Sequence, residues 1–358
     1  MKALFFSHQA QFIYGGEVVT LAFMREIKRA GVEVHFAGPS GPYAELAKEH
    51  AVFHEVPSVQ FSREIMLLPD IAVALISTHQ VLKKIIRENS IDLVHATSLK
   101  AMVYAWKLGG SVPVLWHHHD ILPATKANSL WVKGLAAHAA KILCPSQATL
   151  DSLVQAGVPK EKTAVLRNGF RADEWKARPA QHGPLFRVGL VGEISRRKGT
   201  DRLEKILAVL GPSPDFQFLV IGEALSDPAF ADDLKSRLAS RQVRFLGRRE
   251  RMKELYQEMD VLLVPSRQDP LPTVIVEAGL SGLPIVGARA GGIPEMIEPG
   301  RNGFLFDTEA EAAGYLRETQ KNWRTLSVTS RELAIQRYNI ATLAKDLLRH
   351  YEEALRAV

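Results

Sequence analysis

Short apolar or β-branched runs alternate along the chain with longer stretches in which apolar residues recur at the helical period. Strand period followed by helix period, repeated, is the sign of parallel βαβ units. In the first half these runs predict strands over Lys2–Ser7, Val32–Ala37, Asp92–Ala96, Val112–His117, Ile142–Pro145 and Thr163–Arg167. Helices fall between most of them, among them Glu17–Ala30 and Ser146–Ala156. A polar, proline-bearing stretch, Arg178-Pro179-Ala180-Gln181-His182-Gly183-Pro184, then breaks the pattern and reads as a linker. Beyond it the pattern restarts, with strands near Phe186–Val191, Phe216–Ile221, Val243–Leu246, Val261–Val264 and Pro284–Gly287. A last helix, about Ile340 to Ala357, carries Leu343, Leu347 and Tyr351 at i, i+4 and i+8 and so has one apolar face. The expected architecture is α/β: two doubly wound, Rossmann-like domains, 1–178 and 185–339, facing each other across a cleft.

Composition narrows this picture. A chain of 358 residues is too long for one ordinary compact domain, and its 46% hydrophobic share is enough for two cores. Cys144 is the single cysteine and has no partner for a disulfide, which fits a reducing cytoplasm. The N-terminus turns polar too soon for a secretory signal, and no uncharged apolar stretch reaches the ~18 residues that would span a membrane. A formal charge of +6 allows an anionic partner, either a phosphate-bearing substrate or an anionic membrane face. The basic residues are not interleaved with aromatics as in single-strand binders, so nucleic acid is not an expected partner.

Four segments are placed to carry chemistry. The first is Tyr14-Gly15-Gly16-Glu17, between a strand and a helix, where glycines let backbone approach a ligand and the helix start favours an anion; it fits a plain tight turn equally well. The second is Trp116-His117-His118-His119-Asp120, at the strand end where ligands collect in a parallel sheet. Strand residues alternate sides, so the three histidines do not converge on one metal ion, and a single histidine reaching the cleft is the better reading. His119 is the choice and His118 the alternative. The third is Gly192-Glu193-Ile194-Ser195-Arg196-Arg197-Lys198-Gly199, after the first strand of the second domain. Arg196, Arg197 and Lys198 offer countercharge to a departing diphosphate.

The fourth segment is the most informative. A strand ends in Pro265-Ser266-Arg267-Gln268-Asp269-Pro270-Leu271-Pro272-Thr273 and continues into the helix Val274–Leu280. Amides around Thr273 and Val274 form a helix N-terminus suited to a phosphate. Glu277, one turn in and flanked by apolar residues, needs a partner and could accept from a ribose diol. Asp269, on the loop, could bind hydroxyls of a transferred sugar.

With these pieces in order, the chain resembles the retaining glycosyltransferases of glycosyltransferase family 4 over nearly its whole length. The run Pro265 to Ala278 looks like that family's pair of acids seven residues apart. Ala290-Gly291-Gly292-Ile293-Pro294-Glu295 and Arg301-Asn302-Gly303-Phe304-Leu305-Phe306 are similar to the segments that follow it. Pro145-Ser146-Gln147-Ala148-Thr149 and Leu166-Arg167-Asn168-Gly169-Phe170 also look like family segments. The resemblance implies the GT-B fold, with an acceptor-binding domain completed by the final helix, about 340–358, and a nucleotide-sugar domain at 185–339. It implies that Glu277 holds the ribose, Asp269 faces the sugar, Lys198 stands on the diphosphate, Gly16 borders it and His119 lies near the reacting carbon. Gly15, Arg196, Arg197, Leu271, Pro272, Thr273 and Val274 complete the expected donor contacts.

Two departures stand out. The first acid is usually glutamate and here is Asp269, about one methylene shorter. Where the family commonly has arginine after the loop glycine, this chain has Glu193, whose charge repels a diphosphate unless Arg196 or Arg197 offsets it. The expected reaction is hexosyl or N-acetylhexosaminyl transfer from a UDP- or GDP-sugar to a hydroxyl of a glycan, lipid-linked glycan or small metabolite, with retention. No aspartate pair of the metal-binding kind is evident, so no cofactor and no essential divalent metal are expected. A sugar-nucleotide epimerase of the same architecture and a non-enzymatic sugar-nucleotide sensor are the alternatives. The mixed apolar and basic stretch from Ser62 to Pro69 and on to Lys83–Arg87 fits peripheral contact with the inner face of a membrane, or buried helices with a basic outer face.

Overall fold

The computed structural model describes residues 1–57, 68–122, 125–178, 183–212, 215–239 and 242–356. Residues 62–67, part of the mixed apolar and basic stretch, and 179–182, most of the expected linker, lie outside the described residues. The chain divides into two compact units, one of Met1–Gly169 with Ile340–Val358 and one of Phe170–Asn339. The division therefore falls nearer the start of the chain than the linker read from composition. Arg178 shows why: its guanidinium lies 2.6 Å from Asp260 Oδ1. Its backbone N–H donates to the Ser281 carbonyl at 3.0 Å, so the residue is built into the second unit.

The first unit holds a seven-stranded sheet of β1 (Lys2–Phe6), β2 (Glu33–Gly38), β3 (Val52–Glu55), β4 (Leu93–Ala96), β5 (Val114–His117), β6 (Lys141–Cys144) and β7 (Thr163–Val165). The order is β3-β2-β1-β4-β5-β6-β7, every pair parallel. Most of these strands read as apolar runs because helices cover both sheet faces. Trp116 and Ile142 face one core, under Leu82, Met102 and Val132 of the helices Leu68–Asn89, Leu99–Ala105 and Lys126–Ala137. The final helix, Ile340–Arg356, packs against Gly15–Arg29 and β5, burying Leu347 and Tyr351. No helix of the described residues is long and apolar enough to cross a membrane.

The second unit holds a six-stranded parallel sheet of β8 (Phe186–Val191), β9 (Phe216–Ile221), β10 (Val243–Gly247), β11 (Val261–Val264), β12 (Ile285–Ala288) and β13 (Gly303–Phe306), in the order β10-β9-β8-β11-β12-β13. Each sheet reverses its strand order once, between β1 and β4 and between β8 and β11. At such a reversal the loops leaving the carboxyl ends diverge to opposite faces and open a crevice where ligands bind.

Candidate active site

The β8–β11 reversal brings the third and fourth sequence segments together. Gly192, Glu193 and Lys198, after β8, line one pocket with Pro265, Ser266, Asp269 and Val274, after β11. The Lys198 ammonium donates to Asp269 Oδ2 at 2.7 Å, and Asp269 is almost wholly buried. Close backbone approach holds the two loops in register. Gly199 has φ +69°, and any side chain there would run into the Pro265 carbonyl oxygen. Arg267 ties the same loops from outside, forking onto both carboxylate oxygens of Asp201 at 2.7 and 2.8 Å and donating to the Arg196 carbonyl at 2.8 Å. Behind Asp269, Gly291 adopts φ +55° against the Asp269 backbone, and Gly292 N–H donates to the Asp269 carbonyl at 2.9 Å.

The three basic residues of the loop do not all face the pocket. Lys198 does. Arg196 is exposed and lays its guanidinium over the Phe230 ring, 4.7 Å from the centroid. Arg197 reaches back to Glu193, at 3.5 Å. Glu193 also accepts from the Ser226 hydroxyl at 2.7 Å. The carboxylate that looked repulsive in the sequence is thus paired within its own loop, and its partner is Arg197, not Arg196. Arg196, Arg197 and Lys198 lie in a hydrogen-bonded turn, with Gly199 N–H donating to the Arg196 carbonyl at 3.1 Å, and a turn fans neighbouring side chains apart, which a run of basic letters does not reveal.

The helix Thr273–Leu280 has Pro272 at its N-cap, which supplies no side-chain cap, and Val274 opens on the pocket. Its first amides are available to an anion, and the aligned peptide dipoles favour one there. Leu271 and Pro272 are buried beneath the turn, while Thr273 is half exposed. One turn on, Glu277 Oε2 accepts from the Tyr256 hydroxyl at 3.0 Å. Burial raises the Glu277 carboxyl above its ordinary value, and hydrogen bonds from Tyr256 and Thr273 act the other way. Tyr256 is fully buried and was not picked out from the sequence; the signal was present, an aromatic on the apolar face of the helix just before β11.

In the first unit, Gly15 opens the helix Gly15–Arg29, and Glu17 closes its first turn by accepting from Tyr14 N–H at 3.0 Å. A Cβ added to Gly16 meets nothing within 4 Å. Folding therefore does not demand glycine at this position. The histidines of the second segment alternate as the strand dictates. His117 is buried, with Nδ1 3.3 Å from His95 Nε2, and the other side of His95 meets the Tyr351 hydroxyl at 2.8 Å. His118 is buried edge-on against Trp116, with ring centroids 4.8 Å apart. His119 is largely buried, its ring 4.1 Å from that of His117, and its buried Nε2 has no hydrogen-bond partner among the described residues. Burial lowers His119 to about 4, so its imidazole is neutral near pH 7. At the β1–β4 reversal His8, also lowered to about 4 by burial, bonds the Ser98 hydroxyl at 3.2 Å. His8 follows the first strand directly, a position that marks the sheet's ligand edge, but no motif singled it out.

Comparison with known proteins agrees with this arrangement. Residues 13–174 match the model of Glycosyltransferase Family 4, and residues 186–320 match that of Glycosyl transferases group 1. A GDP-mannose-dependent alpha-mannosyltransferase of Mycobacterium tuberculosis is 26% identical over 79% of this chain and 77% of its own. The sulfoquinovosyl transferase of Arabidopsis thaliana is 29% identical over 60% of this chain, and the match spans 47% of that longer protein. Among solved structures, HepE of Anabaena, crystallised with UDP, superposes with a TM-score of 0.82 and 25% identity, covering 98% of this chain and 99% of its own. A Rickettsia africae glycosyltransferase shares the fold, with a TM-score of 0.84 at 17% identity. Two family models that together take in most of the chain, and the two doubly wound units, agree on one conclusion: the chain is a glycosyltransferase of family 4 type and GT-B fold that draws on a sugar-nucleotide donor.

Proposed function

We propose that this glycosyltransferase moves a hexosyl or N-acetylhexosaminyl group from a UDP- or GDP-sugar to a hydroxyl acceptor with retention of anomeric configuration. The observation that carries the reading is the Lys198–Asp269 pair, 2.7 Å apart in the β8–β11 crevice beside an uncapped helix start. In this reading the Thr273 and Val274 amides and Lys198 receive the diphosphate, and they hold its charge as the bond to the sugar breaks. Asp269, fixed by Lys198 and by the Gly291–Gly292 turn behind it, accepts from sugar hydroxyls. Glu277, steadied by Tyr256, accepts from the ribose diol. His119 offers a neutral imidazole to the transferred sugar, and Gly16 gives the diphosphate unobstructed backbone. The acceptor oxygen attacks from the face the diphosphate leaves, and a diphosphate oxygen takes the proton.

HepE is described with UDP-glucose at 25% identity over the whole of both chains, which makes UDP-glucose the first donor to try. GDP-mannose follows, on the strength of the mannosyltransferase relative. A glycan, a lipid-linked glycan or a small metabolite is the proposed acceptor class. A thermal-shift screen of nucleotide sugars tests the donor assignment, since a ligand held at 100 times its Kd stabilises the fold by about 2.7 kcal/mol. The reading expects one nucleotide sugar to raise the midpoint more than its free nucleotide does; no response to any of them would overturn it. The countercharge is supplied by protein groups, so turnover is expected to persist in EDTA, and its loss there would count against this set of phosphate contacts.

A further inference from the structure

Aromatic side chains of the first unit line up from the final helix to the carboxyl edge of the sheet. Trp116, Val94 and Ala96 face the core that holds Met102 and Val132, so alternation turns His117 of β5 and His95 of β4 to the opposite face. There the helix Ile340–Arg356 packs on β5 and brings the Tyr351 hydroxyl to His95. Tyr351, His95 and His117 are buried, and their surroundings are apolar. Phe5 stacks on His95 with ring centroids 4.6 Å apart, and Phe23 meets His117 edge-on at 6.2 Å. Leucine or valine would fill such places with no hydrogen bonds to satisfy, so a polar run here calls for a reason beyond packing.

Burial keeps these rings neutral near pH 7, so His95 and His117 carry one proton each and the run has two orders. In one, the Tyr351 hydroxyl donates to His95 Nδ1 at 2.8 Å and His95 Nε2–H donates to His117 Nδ1 at 3.3 Å. The proton of His117 then sits on Nε2. In the other, His117 Nδ1–H donates to His95, and His95 Nδ1–H donates to the Tyr351 oxygen. The Tyr351 proton is then left with no acceptor among the described residues. His117 Nε2 lacks a partner in both orders. The first therefore strands one buried polar group and the second strands two, which favours the first. The bond to His95 thus fixes both the tautomer and the plane of His117. His119 lies against that plane, its ring 4.1 Å away and tilted by 35°. No hydrogen bond at His119 Nε2 orients this ring among the described residues, and contact with His117 does so instead.

We propose that Tyr351, His95 and His117 form a buried positioning relay, in which the Tyr351 proton sets the order of the run and His117 sets the angle of His119. Its purpose rests on the reading that brings His119 to the transferred sugar; its proton order does not. Histidine side-chain nitrogens of the isotope-labelled full-length chain are read by long-range proton–nitrogen correlation at pH 7, with His95→Gln and His117→Gln used only to assign signals. Wild type is expected to show His95 and His117 each as a single neutral tautomer protonated on Nε2. Tyr351→Phe keeps the ring and loses the hydroxyl, which leaves the two orders with equal numbers of stranded groups. His117 should then divide between tautomers, and kcat of transfer should fall about 10-fold with the nucleotide-sugar KM little changed. Leu347→Val, buried on the same helix but off the run, should lower the thermal midpoint and move neither tautomers nor kcat. A wild-type His117 protonated on Nδ1, or a Tyr351→Phe enzyme with wild-type tautomers or wild-type kcat, overturns the proposal. The wild-type spectrum decides the proton order even where Tyr351→Phe folds poorly or no sugar is transferred, so failure of the transferase reading is told apart from failure of the relay.

Discussion

At the scale of single residues, the site rests on paired charges rather than on free ones. Lys198 is bonded to Asp269 and Arg197 to Glu193, so the diphosphate of the proposed donor would share Lys198 with the aspartate. Lys198→Ala is expected to lower kcat by about 10²–10³, the range seen when one transition-state donor is removed. Tyr256→Phe removes the hydroxyl that steadies Glu277, and its expected effect is a rise in donor KM near 10-fold with kcat little changed, about 1–1.5 kcal/mol. An unchanged KM in Tyr256→Phe would show that the hydrogen bond does not position the ribose acceptor. The acids themselves were legible in the sequence, because a carboxylate on an apolar helix demands an explanation. Their partners were not. Tyr256 lies on another helix, and the split of Arg196 from Arg197 depends on side-chain direction that no spacing rule supplies.

At the scale of elements, two glycines separate structural need from functional need. Gly291, at φ +55° against the Asp269 backbone, is required for folding. Gly291→Ala should cost at least ~2 kcal/mol through a strained φ and a carbonyl clash, a midpoint loss of several degrees by calorimetry. Gly16 has open space beyond its Cα. Gly16→Ala is expected to leave the midpoint within about 1–2 °C of wild type while lowering transfer at least ~10-fold, because a methyl there stands where the diphosphate is proposed to pass. A Gly16→Ala enzyme of full activity would return that turn to an ordinary helix start. Most strands could be read as apolar runs because parallel strands between two helical layers are buried on both faces. Those the runs did not predict are β3, an exposed edge strand reading Val-Phe-His-Glu, and β13, whose four residues follow a glycine-rich turn and looked like a motif rather than a strand.

At the scale of the whole molecule, the first unit stores an acid sensitivity. Burial lowers His95 and His118 to about 3, His8 and His119 to about 4, and His117 further. Folded, these rings are neutral; unfolded, they take up protons near their ordinary value of 6.5. Their contribution is therefore complete above pH 6.5 and is lost as pH falls toward the folded values. Each such histidine costs about 1.4 kcal/mol once the pH is one unit below 6.5. The thermal midpoint should fall steeply between pH 6.5 and 4.5, and a flat profile would show that these rings are not buried neutral. Division into two units was legible, and its boundary was not, since Arg178 reads as linker by composition and is anchored by the buried Asp260. The central claim is that the loops after β8 and β11 bind and activate a sugar nucleotide. Turnover of the donor found by the screen, measured for wild type, Lys198→Ala and Glu277→Ala at matched thermal midpoints, tests it most directly. The account predicts transfer by wild type, a kcat loss of about 10²–10³ in Lys198→Ala and a large rise in donor KM in Glu277→Ala; wild-type turnover in both variants would contradict it.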